Sequence, residues 1–106
     1  MDRRLKLDEK LRELQNEVWG YQHTYFEPPE DVTIKYNAVI YERTGFHVRR
    51  ADDKGYLIRD AYQVMIISYD PEDILPRKLV ETFSHCSPGK FFVGDNLWHF
   101  PFTIYF

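Results

Sequence analysis

The sequence predicts an α+β fold, a single small domain over residues 1–106 in which a mixed, mainly antiparallel sheet packs against two helices. The chain begins with a strongly charged amphipathic segment, its later part consists of apolar runs separated by turn residues, and 17% of its 106 residues are aromatic. Aromatic and β-branched side chains suit the pleated, half-buried surface of a sheet. A chain of this length supports one hydrophobic core and leaves little room for a second.

Residues 2–18 predict the N-terminal helix. Their large apolar residues are spaced by four, three and four positions and so form one stripe of an amphipathic helix, consisting of Leu7, Leu11, Leu14 and Val18. Asp8 and Arg12 make a favourable pair four residues apart. Gly20 is expected to end the helix, because glycine adopts the left-handed conformation there at low cost.

An edge strand and a core strand are expected next. Residues 21–26 precede Pro28 and Pro29, which cannot donate to a ladder, so this segment predicts a short edge strand leading into a polar loop over 27–31. Residues 38–41 are dense in apolar and β-branched side chains and predict a strand in the core.

The polar segment 42–55, which contains Gly45 and Gly55, predicts an extended loop or a protruding hairpin arm. The longest predicted strand follows at 56–69. Near its end, one face carries Tyr62, Val64 and Ile66 and the other carries Ala61, Met65 and Ile67. Because both faces are apolar, this strand is expected at the centre of the sheet.

The second helix is expected near residues 71–83. Asp70 is the predicted N-cap and Pro71 the first helical residue, although Pro76 offers an alternative start. The predicted buried stripe is Ile74, Leu75, Leu79, Val80 and Phe83. Residues 87–89, Ser-Pro-Gly, are expected to mark the exit from the helix.

Two aromatic strands around a tight turn are expected at the C-terminal end, with the turn at 94–96. From Trp98 onward large apolar residues alternate strictly as far as Phe106, which predicts a strand docked on the helices. Pro101 indicates that this strand lies near an edge or a bulge.

Composition and charge narrow the function classes. The chain carries 14 Lys and Arg against 17 Asp and Glu, a formal net charge of −3. No apolar stretch approaches the roughly 18 residues of a membrane span, and charged residues occupy the place of a signal-peptide core, so a protein that stays in the cytoplasm is expected. The single cysteine, Cys86, allows no internal disulfide and no thiolate pair for zinc.

No catalytic or metal-binding pattern stands out. His85 and Cys86 are adjacent, and neighbours on an extended segment point to opposite sides, so a small buried or loop thiol is the preferred interpretation. The four histidines, His23, His47, His85 and His99, lack the spacing of common metal sites. The acidic residues of 70–73 are better explained by a turn and a helix cap than by a calcium loop. We therefore expect no enzyme activity, cofactor or metal.

One basic cluster bears on nucleic-acid binding, and it consists of Arg43, His47, Arg49 and Arg50. Asp52 and Asp53 follow directly and the chain is acidic overall, which disfavours a broad phosphate-tracking surface. A charge-complementary contact with another protein is the preferred interpretation.

Four runs of the sequence carry a resemblance to a known family. They are Tyr25-Phe26-Glu27-Pro28-Pro29-Glu30, Lys35-Tyr36-Asn37-Ala38-Val39-Ile40-Tyr41, Tyr62-Gln63-Val64 and Asp95-Asn96-Leu97-Trp98-His99. Together with the aromatic final strand, they resemble the tail terminators of long-tailed bacteriophages, small tail-completion proteins encoded among the head–tail joining genes.

The resemblance implies a structural virion protein that forms a six-membered ring. Such a ring caps the tail tube, stops its polymerisation and provides the surface for head–tail joining. The implied partners are other copies of the chain, the tail tube protein and a head–tail connector or stopper protein, with DNA passing through the lumen without sequence-specific binding. The implied location is the virion tail or neck, after assembly in the host cytoplasm. An acidic lumen would let DNA pass without sticking.

A closed ring needs two different complementary patches on each subunit. The candidate subunit-interface residues are Arg43, His47, Arg49, Arg50, Asp52, Asp53, Lys54, Tyr25 and Phe26. Edge strands near Tyr25 or Trp98 are expected to extend a neighbour's sheet. Two alternatives stay open, a head-completion or stopper protein on the portal side and a small enzyme or ligand-binding domain that uses His85, His99 and Tyr105.

Overall fold

A computed structural model describes residues 3–50 and 56–106, with side chains for 3–46 and 58–106. In chain order its elements are α1 (Arg3–Trp19), β1 (Thr24–Phe26), β2 (Ala38–Arg50), β3 (Tyr56–Ser68), α2 (Leu75–Thr82), β4 (Cys86–Pro88), β5 (Phe92–Gly94) and β6 (Leu97–Tyr105). The strand order is β1-β2-β3-β6-β4, and β5 also pairs with β6. Only β1 and β2 run parallel among these pairs. The predicted α+β class is confirmed.

The core lies between one face of the sheet and both helices. The sheet contributes Val39, Tyr41, Tyr62, Val64, Ile66, Phe100, Phe102 and Ile104, and the helices contribute Leu7, Leu11, Leu14, Leu75, Leu79 and Phe83. These are the alternate residues of β2, β3 and β6, as the period of a strand requires. The predicted stripe of the first helix and the alternation of the last strand are therefore confirmed, as is the central position of β3.

The first helix ends as predicted. Gly20 has a φ of +79° and its N–H donates to the carbonyl of Asn16 over 3.0 Å. The stripe prediction overlooked Gln15, which is fully buried. Its amide donates to the hydroxyl of Thr24 and its Oε1 accepts the N–H of His23 at 2.8 Å, so this side chain ties α1 to the start of β1.

The predicted start of the second helix is wrong. The helix begins at Leu75 with Pro76 in its first turn, which was the alternative, and Asp70 instead accepts the N–H of Glu72 within the preceding turn. Two members of the predicted stripe are also wrong, since Ile74 is 56% exposed and Val80 is 44% exposed. The buried residues of this eight-residue helix are Leu75, Pro76 and Leu79.

The last hairpin forms as predicted. It joins β5 to β6 through two residues of positive φ, Asp95 at 53° and Asn96 at 64°, the combination of a type I′ turn. The interpretation of residues 87–89 as a simple exit is wrong, because Cys86–Pro88 form β4 and pair with β6.

Strand β6 is not an edge, because β3 pairs with one side of it and β4 and β5 pair with the other. Trp98 lies opposite both Ser68 and Val93, so the expected edge near Trp98 is wrong. Pro101 is accommodated between β4 and β5. Its carbonyl accepts the N–H of Gly89 over 2.8 Å, and its missing donor faces the same gap.

The polar segment predicted as a loop or arm continues strand β2. Pairing of β1 with β2 ends at Tyr41, and pairing of β6 with β3 ends at Ala61. Beyond these points β2 and β3 pair with each other as far as Arg50 and Tyr56. We call residues 43–50 and 56–60 the arm. The molecule is elongated, 50 × 28 × 24 Å.

Among the described residues, neither helix is long and apolar enough to cross a membrane.

Candidate interface site

The arm carries an exposed apolar patch. Phe46 is 72% exposed and Ile58 is 41% exposed. Phe46 lies opposite Asp60 and Val48 lies opposite Ile58, so Phe46 and Ile58 belong to the same face of the ribbon. An isolated two-stranded ribbon has no core of its own. A phenylalanine left in solvent there marks a surface that gains from contact with another apolar surface.

Arg43, the first predicted interface residue, is engaged within its own chain. Its Nε lies 3.4 Å from Oδ2 of Asp60, its Nη2 donates to the Tyr62 hydroxyl, and its guanidinium lies 5.6 Å from the centre of the Tyr62 ring. Burial raises the pKa of Tyr62, with Arg43 acting in the opposite direction. These contacts anchor the base of the arm.

The other predicted residues of the arm are placed only by their backbone or lie outside the described residues. In the register of the hairpin His47 is opposite Arg59, and Arg49 is opposite Leu57. Arg50 is opposite Tyr56, in the last pair of β2 and β3 that the structure describes. Three further candidates, Asp52, Asp53 and Lys54, lie outside the described residues.

The predicted edge at Tyr25 and Phe26 forms as the short strand β1. Phe26 packs on the core, with its ring 4.9 Å from that of Tyr41 and 4.5 Å from the guanidinium carbon of Arg4. Tyr25 alternates to the opposite face of the sheet, where its hydroxyl accepts the N–H of Lys35 over 3.1 Å. The outer edge of β1 is three residues long, and its part in an interface stays a prediction.

A groove of about 670 Å³ lies between α2 and the strands β4 to β6. Phe91, Phe100 and Phe102 form its floor, Ile74, Pro76 and Val80 form its wall, and Glu72, Arg77 and Glu81 contribute charge around it. The rings of Phe91 and Phe100 meet edge to face at 4.7 Å. Sequence reasoning missed this groove because it assigned Ile74 and Val80 to the core; their apolar character beside charged neighbours was the available signal.

The three residues of the alternative ligand site do not converge. His85 and Tyr105 line a second cavity of about 390 Å³. His99 stacks on Phe92 at 4.7 Å, six residues back along β6 from Tyr105, a separation of about 20 Å in a strand. The proposed aromatic pocket of all three residues is therefore wrong.

Other candidate chemistry is limited. Burial raises the pKa of the Cys86 thiol to about 11, which keeps it protonated near neutral pH. Within the described ranges, no three His, Cys, Asp or Glu side chains are grouped so that they could hold a metal ion.

Comparison of the chain with protein-family models, curated proteins and solved structures found no match. Its functional interpretation therefore depends on the sequence resemblance and on the surfaces described above.

Proposed function

We propose that the chain is a structural subunit of a long-tailed phage, which assembles head to tail into a ring of six copies that caps the tail tube and provides the surface for head–tail joining. The resemblance of the runs at 25–30, 35–41, 62–64 and 95–99 to tail terminators supports the phage role. One observation carries the assembly: an exposed apolar patch on the arm, Phe46 and Ile58, and an apolar groove lie towards opposite ends of one strand.

That strand is β3. It leaves the arm at Tyr56 and ends at Ser68, whose hydroxyl donates to Asp73 beside the groove at 2.7 Å. Phe46 lies opposite Asp60 of this strand, and the groove residue Phe100 lies opposite Ile66, about 20 Å further along, so Phe46 is not part of the groove lining of its own chain. Contact between these two surfaces must join different copies. Such head-to-tail contacts close into a ring or extend as a filament.

The two surfaces are complementary in chemistry. Phe46 offers an aromatic ring, and the groove offers apolar walls with Val80 44% exposed. Glu72 and Glu81 outweigh the single basic residue Arg77 around the groove, while the sequence of β2 ends with two arginines, Arg49 and Arg50. A second copy of the chain is therefore the occupant we assign to the groove.

To test this assembly, an apolar residue on each of the two surfaces is replaced by a charged one. Phe46→Lys and Val80→Glu should each reduce the assembled mass, measured by light scattering, towards that of a monomer. The double variant F46K/V80E should recover part of it, because the new charges are opposite in sign. Tyr69→Lys is the control, since Tyr69 is 65% exposed but lies outside the groove lining.

Two results would contradict assembly through these surfaces. One is a wild-type chain that stays monomeric with and without tail tube protein, and the other is a double variant whose assembled mass is no larger than that of either single variant. The phage role has its own test. Added to polymerising tube protein, the wild-type chain should stop growth at one tube end, and F46K should not. Binding to the portal side instead, seen by imaging a labelled subunit in virions, would favour the stopper alternative.

A further inference from the structure

We propose that the second cavity binds a phosphate group. This basic cavity of about 390 Å³ lies between the start of α1, the base of the arm, the segment after α2 and the end of β6. Its lining includes Arg3, Lys6, Arg59, Ser84, His85 and Tyr105. The site is complete within one copy of the chain, so it does not depend on the proposed ring.

Three basic residues line the cavity from two elements. Arg3 and Lys6 are three residues apart on α1 and so share a face of the helix. Arg59 belongs to β3, and Arg3 donates to the carbonyl of Ile58 on that strand over 3.1 Å. This bond holds the two elements together at the edge of the cavity. His85 adds a ring nitrogen from the segment before β4.

These charges have no carboxylate partner in the part of the chain that the structure describes. The ion pairs recorded there join Arg12 to Asp8, Arg43 to Asp60 and Lys78 to Glu17. Asp60, the sequence neighbour of Arg59, is thus engaged by Arg43. In a chain of net charge −3, this is a local field that favours an anion.

Phosphate suits this set of donors better than a single carboxylate does. Its oxygens can accept from several donors at once, and arginine binds them in a two-pronged geometry. The hydroxyls of Ser84 and Tyr105 are further polar groups of the lining. The cavity is larger than one phosphate ion, and its Tyr105 and Phe106 rings adjoin the space left over. The phosphate can therefore come from a free phosphate ester or from a nucleic-acid backbone.

The experiment titrates the full-length chain with inorganic phosphate, thymidine monophosphate and a short thymidine oligonucleotide, following its backbone and His85 ring signals by NMR. We expect saturable shifts around Lys6, Arg59 and His85. Lys6→Gln and Arg59→Gln should each weaken binding roughly tenfold, because a hydrogen bond to a charged group is lost. Lys35→Gln is the matched control, since this exposed lysine does not line the cavity.

The three probes separate the sources. Equal affinity for phosphate and the monophosphate would indicate a small phosphate ester, whereas much tighter, salt-dependent binding of the oligonucleotide would indicate a nucleic-acid backbone. Absence of saturable binding to all three, or equal weakening by K35Q, would overturn the proposal. The assembled mass of K6Q, measured in parallel, is expected to match the wild type, so a failure of the cavity and a failure of the ring are distinguishable.

Discussion

At the residue scale, Asp73 connects three elements. Its Oδ2 accepts both the indole N–H of Trp19 at the end of α1 and the hydroxyl of Ser68 at the end of β3, each over 2.7 Å. Its Oδ1 accepts the N–H of Leu75 at the start of α2 over 2.9 Å. The sequence predicted a turn and cap role for the acidic residues of 70–73, but not the bond to Trp19, since a contact 54 positions apart leaves no local pattern.

Replacing this carboxylate should therefore destabilise the fold. Asp73→Ala leaves the buried hydroxyl of Ser68 and two N–H groups without their acceptor, so we expect a loss of about 2–4 kcal/mol in the free energy of unfolding. Urea denaturation measures it. Asp70→Ala is the control, because that exposed residue accepts a hydrogen bond from Glu72 in the turn. Equal losses in the two variants would contradict the connecting role of Asp73.

The thiol of Cys86 gives a prediction about pH. Burial raises its pKa to about 11, so in the folded chain the reactive thiolate forms only as the pH approaches that value. Alkylation at pH 8 should be at least about tenfold slower in the native chain than in urea, because an unperturbed thiol has a pKa of about 8.5. The raised pKa also means that this group's contribution to stability is present below the unfolded pKa and is lost as the pH rises towards 11.

A Cys86→Ala chain serves as the blank for the alkylation measurement. Native and unfolded rates that agree at pH 8 would show that the thiol is not shielded as the structure places it.

At the element scale, the local sequence predicted the buried residues correctly in elements whose apolar side chains all lie on one face. The spacing of Leu7, Leu11 and Leu14 and the alternation after Trp98 both predicted the buried face correctly. Strand β4 was missed because Ser87 and Pro88 favour turns, whereas pairing with β6 across 14 to 18 positions decides the outcome. The turn propensity of single residues is outweighed by pairing with a neighbouring strand.

The hairpin between β5 and β6 offers a test of its turn. Asn96 has a φ of 64°, and glycine adopts this conformation more readily, so Asn96→Gly should stabilise the chain or leave it unchanged. Asn96→Val should cost about 1–2 kcal/mol, because a β-branched residue is strained there. Thermal unfolding of the two variants measures whether each substitution raises or lowers the stability. If the valine variant were as stable as the glycine variant, the assignment of a type I′ turn would be wrong.

At the scale of the whole molecule, sequence reasoning predicted the arm but not the groove. The polar run of 42–55 between apolar strands indicated a protrusion. The groove forms between α2 and strands distant in sequence, so its shape depends on how those elements pack. The basic cavity was missed for the same reason, as Arg3, Arg59 and His85 come from separate segments.

Removing the arm should separate folding from assembly. Arg43 and Tyr62 lie opposite each other, so residues 44–61 can be replaced by Asn-Gly, which closes a two-residue hairpin turn. Ala61 is the one buried hydrophobic residue that this replacement removes among the described side chains. We expect the shortened chain to unfold cooperatively by circular dichroism and to remain monomeric by light scattering. Retained assembly would exclude the arm as a subunit contact.

The division of β3 between core and arm implies a gradient of local stability along one strand. Tyr62, Val64 and Ile66 are fully buried between β2 and β6, whereas Ile58 is 41% exposed on a ribbon of two strands. Amide hydrogens in the first group should exchange with solvent only through global unfolding, while those of the arm exchange through local opening. Hydrogen exchange followed before and after assembly would then record where a neighbouring copy binds, as slowed exchange at the outer half of β3.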